Sequence, residues 1–126
     1  MATEPGWTLR FDVEEPNAVV AVGVSPDGEE LGFASAGPPR DGDLEDGWEL
    51  YALNVAPTAQ GSGLAPALVA ATVGDRACVV WVLAGNGRAR AFYGREGWVA
   101  DGAERTHEAS GRPEVRLRRP GRRLSG

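Results

Sequence analysis

The chain has 126 residues, 42% of them hydrophobic, enough for one domain with one buried core and too few for two. No run of about 18 apolar residues passes without a charge, and "MATEPGWTLR" has neither a basic n-region nor an apolar h-region, so a membrane span and secretion lack support and the cytoplasm is the expected location. The net charge of -5 hides an asymmetry: through Ala56 there are 12 acids against 2 arginines, and from Pro57 onward 6 acids against 11 arginines. A basic half suits an anionic ligand, while the acidic balance and the short, Pro/Gly-broken tail "RLRRPGRRLSG" argue against nucleic acid.

In chain order, "GWTLRFDVEEP" supports one strand from Thr8 to Val13 or a degenerate helix, and residues 1–16 read as an N-terminal extension. "NAVVAVGV" (Asn17 to Val24) is too continuous for a half-exposed strand and too valine-rich for a good helix, so it is expected as a buried strand. "SPDGEE" then turns the chain into "ELGFASA", an antiparallel partner. "GPPRDGDLEDG" has the composition of an exposed loop, and "WELYALNV" (Trp48 to Val55) that of a third strand. Alternation along it puts Glu49 on one face with Tyr51, Leu53 and Val55, opposite Trp48, Leu50 and Ala52.

After "VAPTAQGSG", Leu64, Leu68 and Ala71 recur at helical spacing, and Pro66 fits only in a first turn. "CVVWVL" (Cys78 to Leu83) is a fully apolar strand, completing a strand, loop, helix, strand crossover whose neighbouring strands are expected to be parallel. Cys78 has no partner for an internal disulfide or a metal site and reads as a small buried side chain. "AGNGRARAFYGREGW" is a second helix with Asn86 as N-cap and Gly97 as its stop. "AERTHEASGRPEVRLRR" forms two short strands around "SGRP", and residues 120–126 are expected to be a disordered basic tail.

Glycines immediately before a helix N-terminus bring unpaired N–H groups and a positive dipole end together, a cradle for phosphate. A Walker A loop is eliminated because the chain has no lysine, and a GxGxxG fingerprint fails where Pro66 stands. The pattern Gln-x-x-Gly-x-Gly/Ala is met at every specified position by Gln60, Gly61, Ser62, Gly63, Leu64 and Ala65.

With "ELYALNV" before that loop and "VVWVLAGNGRARAFYGREGW" after its helix, the stretch from about Ala18 to Arg119 resembles the GNAT superfamily of acetyl-CoA-dependent N-acyltransferases. The resemblance implies an α/β fold over residues 17–119, with a mixed, mostly antiparallel central sheet flanked by helices. Most of the usual N-terminal strand, helix and helix are lacking.

It also implies that the loop cradles the pyrophosphate of acetyl-CoA through backbone N–H groups of Gln60 to Ala65, and that the main chain around Leu53 and Val55 pairs with the pantetheine amides. Asn86 matches the position that bonds the pantetheine arm. Tyr93 matches the tyrosine that protonates the departing thiolate, and Glu49 the glutamate that deprotonates the acceptor amine. Simpler roles stand beside these: a strand-edge charge for Glu49, ring packing for Tyr93, a helix cap for Asn86. Ser62 replaces the basic residue of many relatives, which removes a charge-assisted phosphate contact.

The activity implied is acetyl transfer from acetyl-CoA to a primary amine, a small molecule or a peptide, with no metal. The alternatives are an acyl-CoA-binding module with little turnover and an interaction protein using the fold alone. The acidic loop Asp41 to Asp46 suits a cationic acceptor, although solvation alone accounts for it. The short N-terminus leaves "NAVVAVGV" near a sheet edge, so a homodimer is expected.

Overall fold

The computed structural model describes residues 6–44 and 47–121, so Glu45, Asp46 and all but the first two residues of the expected tail lie outside it. Seven strands, β1 (Thr8–Glu15), β2 (Ala18–Val24), β3 (Glu30–Gly37), β4 (Trp48–Val55), β5 (Cys78–Leu83), β6 (Val99–Thr106) and β7 (Pro113–Arg119), form one sheet, with two helices, α1 (Leu64–Val73) and α2 (Gly87–Arg95). The strand order is β1-β2-β3-β4-β5-β7-β6, and the β1/β2, β2/β3, β5/β7 and β6/β7 pairs are antiparallel. This is the mixed, mostly antiparallel sheet with helices that the sequence led us to expect. Two compact units make it up: one holds the chain up to Pro38 with Leu50–Gly74, the other Pro39–Glu49 with the chain from Asp75 onward.

In the first unit β1 runs two residues beyond the expected Val13, because Glu14 and Glu15 stay in register with Val19 and Ala18 up to the turn at Pro16 and Asn17. The ladder shifts between Phe11 and Val13, a bulge at Asp12. Val19, Ala21 and Val22 of β2 and Ala34 and Ala36 of β3 are buried. Helix α1 packs across β2 and β3. Its close approach depends on paired glycines, since Gly23 lies opposite Gly32 in the register. A Cβ on Gly23 would stand 2.5 Å from Leu64 Cδ1, and one on Gly32 would stand 2.6 Å from the Asn54 carbonyl oxygen. Leu64 and Leu68 are fully enclosed, each worth about 1.5–3 kcal/mol of burial. The helix ends at Gly74, whose φ of 62° suits glycine.

In the second unit β5 is buried along nearly its whole length and pairs with β7, Cys78 opposite Arg119 through Leu83 opposite Glu114. Cys78 is buried, as expected. Tyr93, Trp98 and Leu117 complete this core. Trp48 is also buried, its N–H bonded to the Ala77 carbonyl at 2.8 Å and the Arg76 guanidinium 3.9 Å above its ring. Strand β6 is longer than the sequence suggested: its ladder with β7 holds from Val99 to Thr106, with a shift between Ala100 and Glu104. No helix among the described residues is long and apolar enough to cross a membrane.

Candidate active site

The chain leaves β4 through a bond from the Ala56 N–H to the Leu31 carbonyl (2.7 Å) and makes a 3-10 turn over Pro57–Ala59. Ser62 closes the turn with its N–H and its hydroxyl, both donated to the Ala59 carbonyl. Gly61 and Gly63 then take φ of 79° and 86°, the left-handed region that glycine enters without cost. A Cβ at either would meet nothing within 4 Å. The first bond into α1 runs from the Ala67 N–H to the Gly63 carbonyl, and Pro66 has no N–H.

Among the described residues, the N–H groups of Gly61, Gly63, Leu64 and Ala65 therefore have no protein acceptor. No side chain caps the helix and its first turn holds no acid. Such a terminus, open and without a competing carboxylate, fits a diphosphate. The Trp7 indole donates to the Ser62 carbonyl at 3.3 Å and ties the segment before β1 to the loop. Leu53 and Val55 are half-buried on β4 in the same unit. A groove of about 370 Å³ in this unit is lined by Val20, Val22, Leu31 and Phe33 together with Asp12, Glu30, Asn54 and Ala56.

Glu49, Asn86 and Tyr93 belong to the second unit. Asn86 caps α2, its Oδ1 accepting the Ala89 N–H at 3.0 Å, and the residue is exposed. Tyr93 is 5% exposed, with edge-on ring contacts to Phe92 (5.1 Å) and Trp98 (5.3 Å). Its carbonyl accepts the N–H groups of Glu96 and Trp98, which locks the helix end where Gly97 takes a φ of 91°. Burial, with a contribution from Cys78, pushes the phenol well above its ordinary value. Tyr93 therefore keeps its phenolic proton at neutral pH.

Glu49 is neither a strand-edge charge nor exposed on one face. It is 1% exposed, and its neighbours Trp48 and Leu50 are buried too, so both faces of β4 are covered there. Its carboxylate is held by Arg40: the Arg40 N–H donates to Oε1 at 2.9 Å, while Arg40 Nη2 and Nε donate to Oε2 at 2.6 and 3.3 Å. Arg40 escaped the sequence reading because it lies in the Pro/Gly/Asp loop. The signal was there, a lone arginine amid the acids.

That loop is also not simply solvated. Asp41 accepts from the Trp81 indole at 2.8 Å, and the Arg116 guanidinium, 5% exposed, reaches Asp41, Asp43 and Asp101 at 3.0, 2.8 and 2.7 Å. Arg116 holds the Asp43 carboxyl below its usual range. Against desolvation, which raises it, the Ala103 N–H and Arg116 hold Asp101 low as well. No group of three or more His, Cys, Asp or Glu among the described residues is arranged to hold a metal ion.

The family model described as Acetyltransferase (GNAT) family matches residues 2–98. The chain belongs to the GNAT acetyltransferase family. Solved structures agree with this acetyltransferase domain. A GNAT-family protein from Desulfovibrio desulfuricans is 27% identical, with a TM-score of 0.66 over 81% of this chain and 68% of that one. Nourseothricin acetyltransferase (21%, TM-score 0.70, covering 85% and 67%) and the NatC complex bound to Gag peptide and CoA (15%, TM-score 0.67, covering 84% and 71%) share the fold. Among curated protein sequences none matches significantly.

Proposed function

We propose that the domain transfers an acetyl group from acetyl-CoA to a primary amine by direct attack. The observation that carries this reading is the glycine loop: four N–H groups without acceptors, two left-handed glycines with open space at their Cβ positions, and no acid in the helix turn that follows. Gln60 to Ala65 would hold the pyrophosphate, the main chain at Leu53 and Val55 and the Asn86 amide the pantetheine arm. Acetyl-CoA, when bound, supplies the acetyl group as a thioester.

The chain's residues then manage protons. Glu49 Oε2 takes one from the acceptor ammonium, leaving a neutral amine able to attack. Tyr93 Oη gives its proton to the leaving sulfur and recovers one from the acylated nitrogen, and Glu49 releases the first to water. The balance is one ammonium and one thioester in, one amide, one thiol and one proton out. The raised phenol value keeps the proton on Tyr93 at neutral pH and makes it a weaker acid toward the leaving thiolate.

Acetyl-CoA at about a hundred times Kd should stabilise the fold by about 2.7 kcal/mol, seen as a thermal shift shared by CoA and absent with a nicotinamide dinucleotide. No shift with either CoA species would remove the cofactor assignment. Tyr93→Phe should lower kcat with little change in KM, because protonating the thiolate matters only in the transition state. A free-thiol assay reads this, and an unchanged kcat would exclude Tyr93 from the chemistry.

One observation favours a second reading, an acyl-CoA-binding module with little turnover: the carboxylate of Glu49 is buried and fully engaged by Arg40. Cytoplasmic residence remains part of the proposal, as does a homodimer. The exposed Phe11 on β1 at the sheet edge and Phe33 beside the groove support the latter.

A further inference from the structure

The carbonyl of Ser62 is held from far along the chain. The N–H and hydroxyl of this residue both go to the Ala59 carbonyl, and Pro66, four residues on, has no N–H to offer the Ser62 oxygen. The donor is instead the Trp7 indole Nε1–H, 3.3 Å away and 55 residues earlier in the sequence. Trp7 is half-buried in the segment before β1, in the same unit as the loop. Ring packing alone would make no use of that N–H. A trans peptide is planar and carries its C=O and N–H on opposite sides, and there is no cis bond among the described residues. Holding the Ser62 oxygen on Trp7 therefore turns the Gly63 N–H the other way, where no acceptor among the described residues meets it. Gly63, at φ 86°, gives that hold its purpose. Glycine takes φ of either sign, so rotation at Ser62 ψ and Gly63 φ can turn this peptide over at little steric cost. Turned over, it presents a carbonyl oxygen to an anion in place of an N–H.

We propose that Trp7 is a positioning residue of the cofactor loop: its indole selects the orientation of the Ser62–Gly63 peptide that keeps the Gly63 N–H available to the pyrophosphate of CoA. The inference rests on the reading of the loop as the CoA cradle. It brings the segment before β1 into the site through a main-chain atom, with no contact between Trp7 and the reacting groups. Bonding of Trp7 to Ser62 and binding of a diphosphate favour the same peptide orientation, so each strengthens the other by the same factor. The Gly61 N–H belongs to the Gln60–Gly61 peptide, which Trp7 does not hold, and it serves as the internal control.

The test uses the full chain, with CoA titrated by calorimetry and inorganic pyrophosphate added in NMR. Trp7→Phe keeps a ring and loses the N–H, and it should weaken CoA binding by about three- to tenfold, the worth of one hydrogen bond. Without ligand, the Gly63 amide resonance of Trp7→Phe should shift or broaden by exchange while that of Gly61 stays where it is in the parent. A general loosening of the unit would disturb both. A third measurement needs no variant and stands even where a variant folds poorly: in the parent, saturating pyrophosphate should slow solvent exchange of the Trp7 indole proton. Parent affinity for CoA in folded Trp7→Phe, equal disturbance of Gly61 and Gly63, or indole exchange unmoved by pyrophosphate would overturn the inference. The two readings fail differently. No CoA binding by the parent removes the cofactor cradle and the role of Trp7 with it, whereas CoA binding that is equal in parent and Trp7→Phe removes the role of Trp7 and leaves the cradle standing.

Discussion

Replacing Arg116 by methionine should lower the stability of the domain by about 3 kcal/mol and its Tm by about 10 °C. The guanidinium is 5% exposed and is shared by Asp41, Asp43 and Asp101, so its loss takes the cation from Asp41 and Asp101, which are 19% and 13% exposed, and leaves Asp101 only the more distant Arg118 at 3.3 Å. Removing one partner of a buried ionic cluster costs more than the cluster contributes, because the remaining charges lose their compensation. The pH dependence gives a second signature. Asp43 and Asp101 are depressed in the fold, so the stability they contribute is present above the unfolded carboxylate value near pH 4 and is lost as pH falls through their lower folded values. The parent should therefore lose Tm steeply below about pH 4, and Arg116→Met should lose much less over the same interval. Calorimetry from pH 7 to 3 measures both, and parallel pH curves for the two proteins would show that the cluster contributes nothing by charge.

Gly63→Ala should weaken CoA binding by about tenfold or more while the domain still folds. The new Cβ enters space where no protein atom lies within 4 Å, so any clash is with the ligand. The backbone adds a cost of its own: at φ 86° an L-residue is about 1–2 kcal/mol worse than glycine. The two effects separate cleanly, since denaturant unfolding without ligand reads the strain and a CoA titration of the folded variant reads the clash. Unchanged affinity would take the loop out of the cofactor site.

What could be read from the amino acids alone was local. The limits of β4, α1 and β5 follow from a valine- and aromatic-rich run, an alanine-rich run opened by glycines and proline, and an unbroken apolar run, each decided by neighbours a few residues away. The turn at Gly61 and Gly63 was legible for the same reason, because two glycines just before a helical run mark a place where the backbone takes positive φ. The carboxylate environments were not. Arg116 meets Asp41 across 75 residues of sequence, and such a pairing leaves no periodic trace. Arg40 and Glu49 are only nine apart, yet they are joined by a Pro/Gly loop whose path composition cannot foretell. Glu49 thus read as one face of an alternating strand, whereas burial of both Trp48 and Leu50 around it makes alternation uninformative at that end.

Leu64 occupies two places at once. It is the first residue of α1, directly after Gly63, and its side chain fills the slot left by Gly23 and Gly32. The glycine loop is therefore anchored through the first residue of its helix at a place where a single added methyl has no room. If the loop holds acetyl-CoA as proposed, amide exchange in β2 and β3 should slow when the cofactor is added, because opening those strands frees Leu64 and with it the start of α1.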